Sequence, residues 1–181
     1  MKIVLPTDFK DITLHQYQQW HKGLDRFKSI ALFTDIDLSK VSLNAINASY
    51  EHLEELFSNE EPRFFKIIEH NDVKYGFVND WDAFSAGEWI DIETYSSDPV
   101  LNAHKIMSIL YRPIDRMVLD RYSIAPYEGT NDSLKDIPAC FFLGAMVFFC
   151  ESEKEYLNNL AHSLTEVAEQ TLSKNAGDGM T

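Results

Sequence analysis

The chain has 181 residues, 45 % of them hydrophobic and 13 % aromatic, which is enough apolar material for one globular domain with a substantial core. Sixteen Lys and Arg against 29 Asp and Glu leave a formal charge of -13 and a pI near 4.7. That balance repels phosphate backbones and anionic lipid heads, argues against direct nucleic-acid or membrane-surface binding, and favours a basic protein partner.

The opening Met1–Ile12 lacks the apolar stretch of roughly 7 to 15 residues that an export signal needs, so export is not expected. Residues 2–5 read as a short extended arm ending at Pro6. Thr13 and Gln16 have capping-box spacing, which predicts a helix running to about Lys22, where Gly23 stops it. A second helix is predicted over 24–33. Leu43, Ile46, Tyr50, Leu53 and Phe57 then recur at steps of three and four, which predicts a third helix with one buried face, and Glu51, Glu54, Glu55, Glu60 and Glu61 lie on its other, solvated side.

After Pro62 the period changes to two. Phe65, Ile67, Val73, Tyr75 and Phe77 flank the turn-forming Asn71-Asp72, predicting a β-hairpin at about 63–79. A second capping box, Ser85 with Glu88, predicts a helix from Ala86 to about Tyr95. Asp98-Pro99 then predicts another, with Asp as cap and Pro in the first turn, ending near Tyr111. Residues 114–136 lose periodicity and carry Pro126, Gly129, Asn131 and Asp132, so they read as a long loop of the kind that is functional or mobile.

The apolar run Ile137–Cys150 is too short to span a bilayer and reads as a buried helix near Pro138–Phe149, apolar nearly all round. Its cysteines, Cys140 and Cys150, fit two buried thiols in a reducing compartment better than a disulfide framework or a zinc site. Ser152 and Glu155 give a third capping box ahead of the stripe Tyr156, Leu160, Leu164, Val167 and Leu172, and 175–181 read as a flexible tail. The fold expected from these elements is mainly α (α+β), a helical bundle with one small hairpin, in a single domain over 1–174.

Chemistry is sparse. The six histidines are scattered, with no pair at helical metal-ligand spacing, and no nucleophile elbow or phosphate-cradling glycine loop occurs, so no cofactor or resident metal is expected. His104 is the histidine expected to be buried, as a satisfied core imidazole. Asp80, Asp82, Glu88 and Asp91 form the one acidic set that suits a divalent cation or general-acid role, and a metal-dependent enzyme using them is the competing expectation. A solvated acidic face, with Glu88 spent on its capping box, accounts for them as well. Trp81, Phe84, Trp89, Tyr122 and Tyr127 are the aromatic candidates for partner binding.

Two stretches carry a family resemblance. Ser85-Ala86-Gly87-Glu88-Trp89-Ile90-Asp91-Ile92-Glu93-Thr94-Tyr95, followed by Asn102-Ala103-His104-Lys105-Ile106-Met107-Ser108-Ile109-Leu110-Tyr111-Arg112-Pro113, resembles proteins from the structural gene blocks of tailed bacteriophages. The opening Leu5-Pro6-Thr7-Asp8-Phe9-Lys10-Asp11-Ile12-Thr13-Leu14-His15-Gln16-Tyr17-Gln18 fits the same pattern. The resemblance, to components of crAss-like and related phages, implies a non-enzymatic virion or morphogenesis protein assembled in the host cytoplasm. Two roles fit: a subunit of the portal-to-tail connector ring, or a tail assembly chaperone not retained in the virion. Implied partners are the portal, neighbouring ring or tail subunits and further copies of the chain. An acidic surface suits the lining of a channel through which DNA slides without sticking.

Overall fold

The computed structural model describes residues 3–59, 62–78, 80, 84–119, 121–152 and 154. The fold is mainly helical α+β, as expected, but the strand content is a four-stranded antiparallel sheet rather than one hairpin. The chain falls into two units that divide between Ala145 and Met146.

The first unit begins with α1 (Leu14–Trp20), α2 (Arg26–Ala31) and α3 (Leu43–Ser58). α1 starts where Thr13 and Gln16 predict. The Gln16 amide donates to Thr13 Oγ1 at 3.2 Å and the Thr13 amide to Gln16 Oε1 at 3.0 Å, which satisfies two open amides and contributes about 1 kcal/mol. Asp25 caps α2 by accepting from the Lys28 amide, so that helix is shorter than its predicted span. On α3 the stripe buries Ile46, Leu53 and Phe57, but Leu43 in the first turn is 63 % exposed, so the buried face starts one turn later than its period suggests. Ile46 and Leu53 meet Ile30 of α2 in a core against which Trp20, Phe33, Tyr50, Ile3 and Leu5 pack. Trp20 stacks on Phe57 with ring centroids 4.3 Å apart.

β1 (Ile67–His70) and β2 (Val73–Phe77) form the predicted hairpin over a narrower span. Asn71 and Asp72 both take positive φ, 51° and 62°, the backbone that a two-residue hairpin turn demands and that short polar side chains tolerate. α4 (Ala86–Ser96) opens on the predicted box, with the Glu88 amide donating to Ser85 Oγ and the Ser85 amide to Glu88 Oε2. α5 (Ala103–Leu110) begins at Ala103, not at Pro99. Asp98 closes a turn by accepting from the Leu101 amide instead of capping a helix, and Asn102 turns its side-chain amide back to the carbonyls of Tyr95 and Asp98.

The predicted loop 114–136 is the main correction. Its first part belongs to β3 (Tyr111–Val118) and β4 (Arg121–Ile124), a second hairpin that extends the sheet in the order β1-β2-β3-β4. After β4, irregular backbone runs over 125–137. That segment is stitched to the start of the chain: the Leu14 amide donates to the Ile137 carbonyl at 2.7 Å, and the Ala139 amide to that of Ile12 at 2.9 Å.

Residues 139–152 and 154 are helical, and 139–152 are designated α6. Cys140, Phe142 and Ala145 are buried in the first unit. In the second, Phe149 is buried while Val147, Phe148 and Cys150 are exposed, so the helix is not covered all round and only one of its two thiols is buried. Ser152 lies within helical backbone and opens no new helix; Glu155, the stripe 156–172 and the tail 175–181 lie outside the described residues. No helix among the described residues is long and apolar enough to cross a membrane.

Candidate functional site

His104 lies on α5 beside a cavity of about 460 Å³ that His15, Gln18, Lys22, Asp132 and Lys135 help to line. Its Nδ1 sits 3.0 Å from the amide nitrogen of buried Gln18, which can only donate, so Nδ1 accepts and the proton resides on Nε2, 3.3 Å from Asp132. Both ring nitrogens are thereby engaged, and the ring is half-buried at the cavity wall rather than within the core. Burial holds the ring below its ordinary value of 6.5; the Asp132 carboxylate pulls the other way, but it is 71 % exposed and its field is screened. His21, against Tyr17 with centroids 4.4 Å apart, is shifted down by burial too.

A His with a depressed folded-state value contributes stability above its unfolded value and loses it as pH falls through the folded one. The chain is therefore expected to lose stability below about pH 6.5, and His104→Gln to flatten that dependence, as urea midpoints measured across the range would show.

Of the acidic set, Glu88 and Asp91 are each engaged with a side chain of another segment, and Asp80 is exposed. Glu88 is 2 % exposed and pairs with Arg112 of β3, Oε1 to Nη1 at 3.1 Å, while its other oxygen serves the cap. Asp91 accepts a hydrogen bond from the Tyr127 hydroxyl. Asp82 lies outside the described residues. Among those that are described, no group of three His, Cys, Asp or Glu side chains is placed to share a metal ion.

The aromatic candidates are largely engaged within the chain. Phe84 is buried and packs on half-buried Trp89, centroids 5.2 Å apart; Trp81 lies outside the described residues. The Tyr127 hydroxyl is held by Asp91, and burial and that carboxylate both push its ionisation upward. The Tyr122 ring lies so close over Gly76 of β2 that a side chain there would overlap it, and its hydroxyl donates to the Phe77 carbonyl at 2.8 Å. Lys66 sits 5.5 Å from the ring centroid. Tyr122 thus braces β4 against the far side of the sheet.

What that brace supports is a group of side chains with no aromatic or charged signature in the sequence. At the β3–β4 tip, Met117, Val118 and Leu119 are 43 %, 53 % and 91 % exposed. Val118 pairs with Arg121, so the turn has the same two-residue length as the one at Asn71-Asp72. Here the first turn position is Leu119, at φ 55°. A branched, bulky side chain is strained in that conformation by roughly 1–2 kcal/mol and gains nothing from being bathed in water. Asn71 and Asp72 suit the backbone of their turn, whereas Leu119 does not suit its own. Leu119→Asn is expected to relieve the strain and raise stability by about 1 kcal/mol, read as an upward shift of the urea midpoint.

Elsewhere on the first unit, the N-terminal arm and α3 enclose an open apolar groove of about 400 Å³ lined by Ile3, Val4, Leu5, Ala48 and His52. The His52 ring holds the arm in place through the Pro6 carbonyl at 2.8 Å.

No known protein family, curated protein or solved structure matches the chain.

Proposed function

We propose that this chain works by docking onto protein subunits through the tip of the β3–β4 hairpin, as a non-enzymatic component of a tailed-phage particle in the connector between portal and tail. One observation carries the docking role. Leu119 is held strained and 91 % exposed at the end of a hairpin anchored by Tyr122, one pair below the Val118–Arg121 pair that closes the turn, and is flanked by Met117 and Val118. Backbone strain persists where something other than monomer stability maintains it, and an exposed apolar knob on a rigid support is suited to insertion into another surface. The phage setting rests on the resemblance of 85–113 and 5–18, and the charge of -13 agrees with a subunit beside translocating DNA.

Mass spectrometry of purified particles is the test. The chain is expected at fixed copy number, and Leu119→Asp is expected to deplete it from particles while the variant remains folded in the infected cell. Presence in infected cells with absence from particles would instead indicate an assembly chaperone. Retention of the Leu119→Asp variant at full copy number would remove the tip from the docking role.

A further inference from the structure

We infer that Gln18 and His104 form an acid-released latch across the seam between α1 and α5, closed while the ring is neutral and opened by a proton on it. The latch is built from atoms that leave the Gln18 amide one orientation. Gln18 is buried on α1, and its side-chain nitrogen lies 3.1 Å from the Val100 carbonyl oxygen, 2.6 Å from that of Leu101 and 3.0 Å from His104 Nδ1. Two hydrogens are thus shared among three acceptors. Turning the amide over would set its oxygen against two carbonyl oxygens, so the nitrogen is fixed where it stands.

A buried amide that can only donate requires an acceptor opposite it. Once His104 takes up a proton, both ring nitrogens carry hydrogen, and Nδ1–H faces the Gln18 N–H with no acceptor between them. One side must give way. Either Gln18 leaves the two carbonyls, which costs α1 its tie to the turn before α5, or the ring swings off Gln18. In both cases the contact that joins the two helices through these side chains is lost, and the wall of the cavity they border loosens.

The charges around the ring do not remove the conflict. Asp132, 3.3 Å from Nε2, favours the charged form, but it acts on the far nitrogen and is 71 % exposed. His15 on α1 and Lys22 just after it, Lys135 and Asp136 beside Asp132, Lys105 on α5 and Asp98 in the turn before it complete the surroundings. Three lysines there meet three carboxylates, so the wider field gives a proton on the ring little net help, and the fixed donor opposite Nδ1 decides.

The experiment is NMR on the purified, isotopically labelled full-length chain, titrated from about pH 8 to about pH 5. At the upper end His104 is expected as the Nε2–H tautomer, with the Gln18 side-chain amide protected from exchange. Both sets of signals are expected to change together at a midpoint below 6.5, the ordinary value for the ring. Gln18→Met keeps the apolar burial and removes the donor, and is expected to raise the His104 midpoint by about one unit, a tenfold gain in proton affinity. His104→Gln offers an acceptor oxygen that takes up no proton, and is expected to leave the Gln18 signals unchanged across the range.

Gln18 signals that hold steady while His104 titrates overturn the inference. So does a His104 midpoint in Gln18→Met equal to that of the wild type, because burial alone would then account for it. Should Gln18→Met fail to fold, His104→Gln still decides: Gln18 signals that move with pH in that variant place the cause elsewhere.

Discussion

Replacing Gly144 with alanine is expected to destabilise the first unit by about 3 kcal/mol, at the upper end of what overpacking costs, and to lower the thermal midpoint by roughly 6–12 °C. Gly144 faces the extended backbone that follows α3, and a Cβ there would overlap the Arg63 carbonyl group and the Phe64 amide nitrogen. A clash with a flexible side-chain end is relieved by rotation, but this one is with main chain. That main chain is held, because the Arg63 amide donates to the Cys140 carbonyl at 3.3 Å and the Phe65 carbonyl accepts from the buried Tyr111 hydroxyl. Phe65 also packs edge-on against Phe141, centroids 5.0 Å apart. Moving 63–65 away from the helix therefore breaks contacts to both α6 and β3. The measurement is differential scanning calorimetry of Gly144→Ala beside Gly87→Ala. Gly87, exposed in the first turn of α4, has room for a methyl group, and its replacement is expected to leave the midpoint unchanged or raise it slightly.

The second large effect is expected at Glu88. Glu88→Gln keeps an oxygen for the Ser85 cap but leaves the Arg112 guanidinium, itself largely buried, without its counter-charge, at a cost of about 3–5 kcal/mol. Glu88→Ala loses the cap as well, about 1 kcal/mol more. Among the described residues the pair is not fully satisfied, since neither Glu88 Oε1 nor Arg112 Nε finds a hydrogen-bond partner there beyond the ion pair. Its replacement by apolar groups is therefore expected to be far milder than breaking it. Glu88→Gln/Arg112→Met should recover most of what Glu88→Gln loses, and urea denaturation of the two variants decides the matter. This ion pair joins α4 to β3 and, with the Ser85 cap, commits Glu88 to structure.

The elements that were legible in the sequence share a property: their signals are local. Thr13 with Gln16, and Ser85 with Glu88, announce helix starts because each box is closed within four residues, and Asn71-Asp72 announces its hairpin because the turn residues alone satisfy the backbone. β3 hid for the opposite reason. Pro113 cannot donate to a ladder and argues for a loop, yet it sits beside an irregularity in the register between Ile114 and Arg116, where the sheet accommodates it. Leu119, at the first position of the turn after Val118, is not a turn-forming residue.

The same contrast explains why the hairpin tip is not legible in the sequence. Aromatic residues were the natural partner-binding candidates, but a hydroxyl at the edge of a ring is a means of anchoring to one's own carbonyls, as Tyr122 does with Phe77 and Tyr127 with Asp91. The exposed knob is made of Met, Val and Leu, which in sequence look like core. Only the positive φ of Leu119 and its exposure distinguish it, and neither is visible without coordinates.

The unequal turns also set an order of events in folding. β1 and β2 are brought together by Asn71 and Asp72, whose backbone preference already matches the strand twist, so that hairpin can close early, on the microsecond scale of local pairing. β3 and β4 receive no such help from Leu119, and β3 must also find β2 across the whole of α4 and α5, so the outer half of the sheet forms only once those helices have docked. A nascent chain would carry Met117–Leu119 on an unpaired segment until late in folding. The same residues suited to assembly are then the ones most exposed to premature association while the chain is still being made.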